Sequence, residues 1–467
     1  MAHRNEFLNR SAARQRPVRH SAPKPFSIGN DSWLALKNLI AGWIYVAAFL
    51  FIYQSYISIE WSYVLFYYRP MTFTEWAFIL VSVSIASLFL PKRIHSPSSM
   101  ILWLFYSFIL IPANIITFMI GEYSPGFYMP GLIAMTFIIC LGGYINNRKT
   151  PNDLADRHLP GPNVIIVTVS IFILSSLFLY VYFYDILAFS DIDDIYYQRF
   201  IASDIGGGLV GYLRSYYTYV FSPLLIAIGL ISRRYAYLIG FGVLGTLLVY
   251  TIDASKIALI IPLVMVVFYI VLKYVADKTY IFTTGLAALT LFCSLLTSQI
   301  ALVKLAADLL VLRSIAIPAQ TFALYADLFA GNDYTLWSNV RGISYFVPPP
   351  DSFAADPLWP ALGEIVGARY YGFESRVNSN ANLFVGEGVA AGGAIGVLVI
   401  GLVFLIYLEI LDRSIVGWNR RFTIIATLPL GLSLTNTHLS TLLLSFGGLF
   451  WVLLFRYYKP SRFGGLK

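Results

Sequence analysis

Charged side chains interrupt three apolar stretches of this sequence. Arg214 lies in YLRSYYTY, Asp253 and Lys256 lie in YTIDASKIAL, and Lys304 and Asp308 share a later stretch. Charges within apolar segments are costly to keep there, so each is a candidate for a functional site. Asp253 and Lys256 are three residues apart, so on one helix they would share a face and could pair.

A less specific interpretation applies to the basic side chains. Lysine and arginine near the end of a membrane span extend their charges to the lipid headgroups without any further role. This interpretation is favoured for Lys304. For Lys256 it is weighed equally against a binding role, because Ala254 and Ser255 are small and leave room for a ligand.

A histidine and four arginines add a second kind of chemistry. His438 lies in the turn TNTHLS, where a group that titrates near neutral pH suits general-base catalysis, although a hydrogen-bonded turn residue would look the same. A planar guanidinium binds phosphate through two parallel hydrogen bonds. Salt bridges would explain any one arginine, but the set favours an anionic ligand: Arg199, Arg341, Arg369 and Arg376.

The composition decides which elements must position these residues. Of the 467 residues, 58% are apolar, only 12% are charged, and the mean hydropathy is +0.71. A soluble domain carries about 25% charge, so a soluble enzyme, a disordered chain and a nucleic-acid binder with a basic face are excluded. Only a polytopic all-α membrane protein remains, because helices satisfy their own backbone hydrogen bonds in lipid.

Metal and disulfide chemistry find little support in the motifs. Cys140 and Cys293 both lie in apolar runs, so neither a disulfide framework nor a cysteine metal site is indicated. The DIDD segment at 191–194 contains D-x-D, but nothing else in the sequence places a metal there. We therefore expect neither a metal nor a cofactor.

About twelve apolar runs approach the ~20 residues that span a bilayer. They divide the chain into a basic cytoplasmic tail (1–32), helices 1–9 with a short periplasmic loop at 188–208 (33–302), a large periplasmic loop (303–388), and helices 10–12 with a cytoplasmic C-terminus (389–467). This orientation follows from the concentration of Lys and Arg in alternate connections. The outer connections are acidic and aromatic, and tyrosines such as Tyr371 suit contact with sugar rings.

Two features of the last third concern packing. The large loop opens with an amphipathic pattern that predicts a helix on the membrane surface. Gly388, Gly392 and Gly396 are spaced at i, i+4 and i+8, a small-residue stripe that allows two helices to approach closely. We find no internal repeat and no paired broken helices, which disfavours a transporter.

Four features together resemble the Wzy-type O-antigen polymerases, which polymerise oligosaccharide repeat units. They are PKRIHSPSS, DASKIALIIP, one large late loop, and NANLFVGEGVAAGGAIGVLVIG. The resemblance implies a GT-C-like helical bundle in the bacterial inner membrane, with a periplasmic active site. It also implies transfer of a growing glycan from undecaprenyl diphosphate to a new lipid-linked repeat unit, and a Wzz-type chain-length regulator as partner.

The resemblance implies roles for Arg199, Lys256, Arg341, Asn380, Asn382 and Glu387, and the other candidates come from the charges and side chains described above. Arg341, Glu387 and His438 become the candidate catalytic residues, although a carboxylate near a helix start, as at Glu387, is stabilising without any chemistry. The candidate substrate-binding residues are Arg199, Arg214, Lys256, Arg369, Tyr371, Arg376, Asn380 and Asn382. The alternatives are an O-antigen ligase or another lipid-linked glycosyltransferase and, in a different class, an exporter of lipid-linked oligosaccharides.

Overall fold

The fold is a bundle of helices, seen here in a computed structural model. The structure describes residues 28–149, 158–189, 195–275, 277–375, 377–381 and 383–458 of the chain. It is 78% helical and, over these residues, contains no β-strand. The prediction of an all-α polytopic membrane protein is confirmed.

Twenty α-helical segments follow one another along the described part of the chain, several of them joined end to end by short π-helical or 3₁₀ turns. They are α1 (Ile28–Ile52), α2 (Ser58–Glu60), α3 (Phe73–Phe89), α4 (Pro97–Leu104), α5 (Ile111–Ile120), α6 (Pro125–Asn147), α7 (Pro162–Tyr182), α8 (Ile195–Ile205), α9 (Leu209–Tyr216), α10 (Ser222–Ile231), α11 (Leu238–Asp253), α12 (Lys256–Ile270), α13 (Thr279–Leu296), α14 (Ala301–Ala306), α15 (Ile317–Ala330), α16 (Leu362–Tyr371), α17 (Leu383–Ser414), α18 (Arg420–Ser433), α19 (Leu439–Ser445) and α20 (Gly448–Tyr457).

Seven helices within the described residues are long and apolar enough to cross a membrane, or eight if the bent pair α19–α20 is one span. Two shorter apolar helices, α3 and α11, lie beside them. The prediction of a multi-pass protein is thus confirmed at the level of seven or eight spans, against about twelve expected from the sequence.

The basic connections meet at one end of the bundle, which we call the basic end. Arg420 donates to a carboxylate oxygen of Asp277 at 2.8 Å and to the carbonyl of Ile94 at 2.6 Å. Lys149 binds Asp412 at 2.8 Å. Ion pairs therefore join segments that are far apart in the sequence. This agrees with the sequence-based prediction that these basic connections lie on the same side of the membrane.

A 30-residue helical stretch, 301–330, lies along the opposite end, which we call the loop end. It runs from α14 through a π-helical segment (Ala307–Ala316) into α15. Lys304 pairs with Glu60 at 2.7 Å, and Gln320 donates to the carbonyl of Val64 at 2.6 Å. Most of α15 is buried against α5 and α17. A helix does form here as predicted. The prediction that it lies on the membrane surface is wrong, because its apolar face packs against other helices of the protein.

The glycine stripe forms a break inside α17 and not a docking face for another helix. Gly393 has φ 59° and ψ −138°, a conformation that favours glycine, and the helix interrupts there and at Gly392. Gly388 and Gly396 face each other across the break. A Cβ on Gly396 would lie 2.0 Å from the carbonyl oxygen of Gly388. The two halves, 383–391 and 394–414, are therefore packed backbone to backbone.

A second break lies beside the first. Helices α19 and α20 are bent by 50° around Gly447, whose φ is 81°. Both pack against α17. The prediction that paired broken helices are absent is wrong. A break depends on backbone angles that glycine permits but does not require, so the sequence does not reveal it.

Candidate functional site

The segment Asp253–Ala254–Ser255–Lys256 forms a sharp turn between two helices. Ala254 has φ 49°, in the left-handed region, so α11 ends there and α12 begins at Lys256. The Ser255 amide donates to Oδ1 of Asp253 at 2.9 Å and closes the turn. The prediction that Asp253 and Lys256 share one helix face is therefore wrong. The ion-pair partner of Asp253 is Arg214, with Nε 3.7 Å from Oδ2.

Helix α8 brings Arg199 to this turn. Gln198 is buried and donates to the carbonyls of Thr251, at 2.5 Å, and Ala188, at 3.2 Å, which holds α8 against the end of α11. The guanidinium of Arg199 then donates to the carbonyls of Asp253 and Ala254, each at 3.3 Å. A cation is favoured at a helix C-terminus, where free carbonyls concentrate negative charge.

Four cationic side chains near the turn form what we call the cationic cluster: Arg199, Arg214, Lys256 and Arg313. Arg214 and Arg199 lie within electrostatic range of Asp253. Arg199 and Arg313 lie within electrostatic range of Lys256, and Arg199, Arg214 and Arg313 all lie within range of Tyr219. Among the described residues, Nη1 of Arg214 is buried and has no hydrogen-bond partner. The cluster thus contains a buried guanidinium nitrogen with donor capacity that no described residue uses.

Arg313 is the residue that sequence reasoning missed here. It lies in the π-helical segment between α14 and α15, and it is a basic residue within an apolar helical stretch, the same signal that singled out Arg214. The nearby Asp308 is already held, because Tyr56 donates to it at 2.6 Å and Trp61 at 3.1 Å.

Asn380, Glu387 and His438 form a second assembly, which we call the His438 group. Nε2 of His438 lies 2.9 Å from Oδ1 of Asn380. Glu387, only 3% exposed, accepts a hydrogen bond from the Leu439 amide at 3.0 Å. The carboxylate of Glu387 therefore contacts the N-terminus of α19, in addition to lying near the N-terminus of its own helix, α17. An amide oxygen facing Nε2 fits the tautomer with the hydrogen on Nε2. Nδ1 is buried and has no hydrogen-bond partner among the described residues.

Two glycines of α16 leave room for Asn380 to approach His438. The extended segment 377–381 crosses the helix, and the Ser379 amide donates to the carbonyl of Gly363 at 2.8 Å. A Cβ on Gly363 would lie 2.1 Å from Oδ1 of Asn380, and one on Gly367 would lie 1.8 Å from the carbonyl oxygen of Val377. The glycine pair at i and i+4 was present in the sequence but was not recognised.

Helix α19 connects the two assemblies. His438 precedes its first residue, and its last turn accepts a hydrogen bond at Leu444 from the Tyr216 hydroxyl, at 2.9 Å. Tyr216 is two residues after Arg214 in α9. Both assemblies are therefore anchored to one short helix at the loop end.

The remaining predicted site residues are not joined to either assembly by a hydrogen bond or ion pair that the structure describes. Arg341 and Arg369 are exposed. Tyr371 donates to Oε1 of Gln320 at 3.3 Å and packs on the helix 301–330. Arg376 and Asn382 lie outside the described residues. The structure thus gathers Arg199, Arg214 and Lys256 in one place and Asn380, Glu387 and His438 in another.

The chemistry available to these assemblies is anion binding and proton transfer. Forked guanidinium groups and a lysine suit phosphate oxygens, and a buried carboxylate and a neutral imidazole are each able to take up a proton. Within the described ranges, no three His, Cys, Asp or Glu side chains come together in a way that would ligate a metal ion.

Acid is expected to destabilise the fold through His438. Burial lowers the pKa of His438 to about 4, below the ~6.5 of an exposed histidine. The unfolded chain therefore binds the proton first, and about 3 kcal/mol of stability is lost as pH falls from about 6.5 to about 4. The melting temperature in detergent, measured across this window, should fall less for His438→Gln than for the wild type.

His158→Gln, at the basic end, is the control for loss of a histidine elsewhere and should follow the wild-type curve. Parallel curves for His438→Gln and wild type would mean that the imidazole titrates as an exposed group.

Comparison of the chain with models of known protein families, with curated proteins and with solved structures finds no match.

Proposed function

We propose that this protein is a metal-independent membrane glycosyltransferase of the Wzy type. It would polymerise oligosaccharide repeat units by moving the growing glycan from undecaprenyl diphosphate to a new lipid-linked unit. The observation that carries the proposal is the cationic cluster, in which Nη1 of Arg214 is buried without a described partner. A lipid diphosphate is an anion that meets the protein where a helix bundle reaches the membrane interface.

The reaction needs only two kinds of side chain. An acceptor hydroxyl attacks the anomeric carbon, the bond to the diphosphate oxygen breaks, and the hydroxyl proton passes to a base. Arg199, Arg214, Lys256 and Arg313 would stabilise the negative charge that develops on the diphosphate. A histidine with a pKa of about 4 is a weak base at neutral pH, which favours Glu387 as the proton acceptor and His438 as its neighbour.

The proposed topology completes the count of spans. We assign the further crossings to α3, α9–α10, α11 and α18, which brings the total to twelve in a GT-C-like bundle. The basic end would face the cytoplasm with both termini, and the loop end would face the periplasm of a bacterial inner membrane. A Wzz-type regulator would then approach from the periplasmic side. This orientation follows the positive-inside rule.

An O-antigen ligase would use the same donor and the same charges. Only the acceptor differs, and the large loop of this chain has no histidine of the kind that the related ligases use there. A ligase therefore remains the alternative within the enzyme class.

An exporter of lipid-linked oligosaccharides is the alternative from another class, and one observation favours it. The breaks at Gly393 and Gly447 lie in helices that pack together, and discontinuous helices form the substrate sites of many transporters. The enzyme is still favoured, because the ionisable groups of the two assemblies lie at the loop end, whereas an exporter should carry such groups at mid-membrane depth.

Deletion of the gene separates the three functions. Gel analysis of surface polysaccharide should show core plus a single repeat unit if the protein is a polymerase. Bare core with accumulated lipid-linked polymer would identify a ligase, and the absence of both surface and periplasmic repeat units would identify an exporter. Normal long chains in the deletion strain would exclude all three.

A further inference from the structure

A groove of about 510 Å³ runs along the outside of the first membrane-spanning helix. It is lined by α1 and the π-helical turn after it, by the connection 68–71, and by the start of α3. Its volume is within the range of small-ligand sites, roughly 300–1,000 Å³. It belongs to neither of the assemblies described above.

The lining is divided along its length. Trp43 and Ala47 lie at one end, while Gln54 and Arg69 lie toward the loop end. The eleven residue steps from Trp43 to Gln54 span about 16 Å at ~1.5 Å per residue. Apolar side chains line most of this distance, with Trp76 across from α1, and polar groups occur at its loop-end mouth. The groove therefore fits an elongated molecule with an apolar chain and a polar head.

Arg69 is held rigidly at the polar mouth. Its guanidinium donates to both carboxylate oxygens of Glu75, at 3.1 and 2.5 Å, and to the carbonyl of Phe118. Glu75 is fully buried and also caps α3 through Thr72. Among the described residues, Nε of Arg69 and the side-chain amide of Gln54 have no hydrogen-bond partner. Both offer N–H donors to an acceptor-rich head group.

We propose that this groove binds a glycerophospholipid of the bilayer, with one acyl chain along α1 and its phosphate and ester oxygens at Arg69 and Gln54. The carrier lipid of the proposed reaction is disfavoured as the occupant. Gln54 is exposed, whereas Tyr56 is buried and bonds to Asp308, beside Lys256. Residues two apart on a helix point to nearly opposite faces, so a head group at Gln54 would point away from the cationic cluster.

Native mass spectrometry of the intact protein, released from detergent micelles, tests the proposal. The wild type, incubated with phosphatidylethanolamine, should retain one phospholipid. Ala47→Phe fills the groove from an exposed position and should lower the retained fraction about tenfold. Ile44→Phe introduces the same side chain on the same helix outside the groove lining, at a residue that is 43% exposed, and should retain phospholipid like the wild type.

Three results would overturn the proposal. They are retention of phospholipid by Ala47→Phe at the wild-type level, equal loss in both variants, and selective retention of a polyprenyl phosphate over phosphatidylethanolamine. Gln54→Leu, which changes the polar mouth and leaves the apolar groove intact, should weaken retention without changing the melting temperature. Because none of these measurements uses glycan transfer, they stand apart from the proposed enzyme activity.

Discussion

Replacing Arg214 with glutamine is expected to lower the rate of the proposed glycan transfer about 100-fold. Loss of one preorganised donor to a developing negative charge typically costs ~10²–10³ in rate. Arg214 combines an ion pair to Asp253 with a buried nitrogen, Nη1, that no described residue binds. In the variant the Asp253 carboxylate also loses this partner and would repel an incoming diphosphate.

Two further variants sharpen this test. Arg214→Lys keeps the charge but loses the forked geometry, so a smaller loss of about tenfold is expected. Arg234→Gln removes an exposed arginine near the end of α10 and should leave transfer unchanged. The measurements are the glycan chain-length distribution in cells and the rate with purified protein and a lipid-linked repeat unit.

The amount and melting temperature of each variant must match the wild type before rates are compared. Wild-type chain lengths in cells that carry Arg214→Gln would remove this residue from the site. A uniform loss in all three variants would point to membrane insertion and not to catalysis.

Gly396→Ala is expected to destabilise the fold by about 3 kcal/mol, near the upper end of what overpacking costs. The new methyl group would lie 2.0 Å from the carbonyl oxygen of Gly388, and backbone cannot turn away as a flexible side chain would. The two halves of α17 would have to separate, which would also move Glu387 away from the start of α19.

Gly285→Ala is the matched control, because this glycine lies in α13 and a methyl group added there would have no described atom within 4 Å. Alanine is favoured over glycine in a helix by ~1 kcal/mol, so this variant should melt at or above the wild-type temperature. We expect Gly396→Ala to lower the melting temperature in detergent and Gly285→Ala to leave it unchanged or raise it. Equal shifts would show that the close approach across the break is absent in solution.

The sequence predicted the helical class and the presence of membrane spans correctly, because both depend on local quantities. Hydropathy over about 20 residues is sufficient to identify a span. The count of spans was less secure, since helices such as α3 and α11 are apolar but short. Arg214 and Lys256 could be named as candidates because the cost of a charge in an apolar stretch depends on its local surroundings, and their roles remain predictions.

The partners of those residues could not be found in the same way. Asp253 was expected to pair with Lys256 because their spacing fits one helix, but the left-handed φ of Ala254 separates them onto two helices. Asn380 meets His438 because α16 carries glycine where a segment must cross it. These contacts depend on the backbone angle of one residue and on glycines that lack a side chain. Hydropathy predicts neither of these features.

Hydropathy and charge pattern were therefore sufficient to identify the bilayer as the surroundings of this protein. They also named the candidates for its chemistry, which are the few charges in apolar stretches. The fold was needed to show that Arg214 pairs with Asp253, that Arg199 and Arg313 lie near Lys256, and that the glycine stripe breaks α17. The physical reason is that burial cost is a property of a short segment. Which charges meet is set by helix ends and close backbone approaches between segments far apart in the chain.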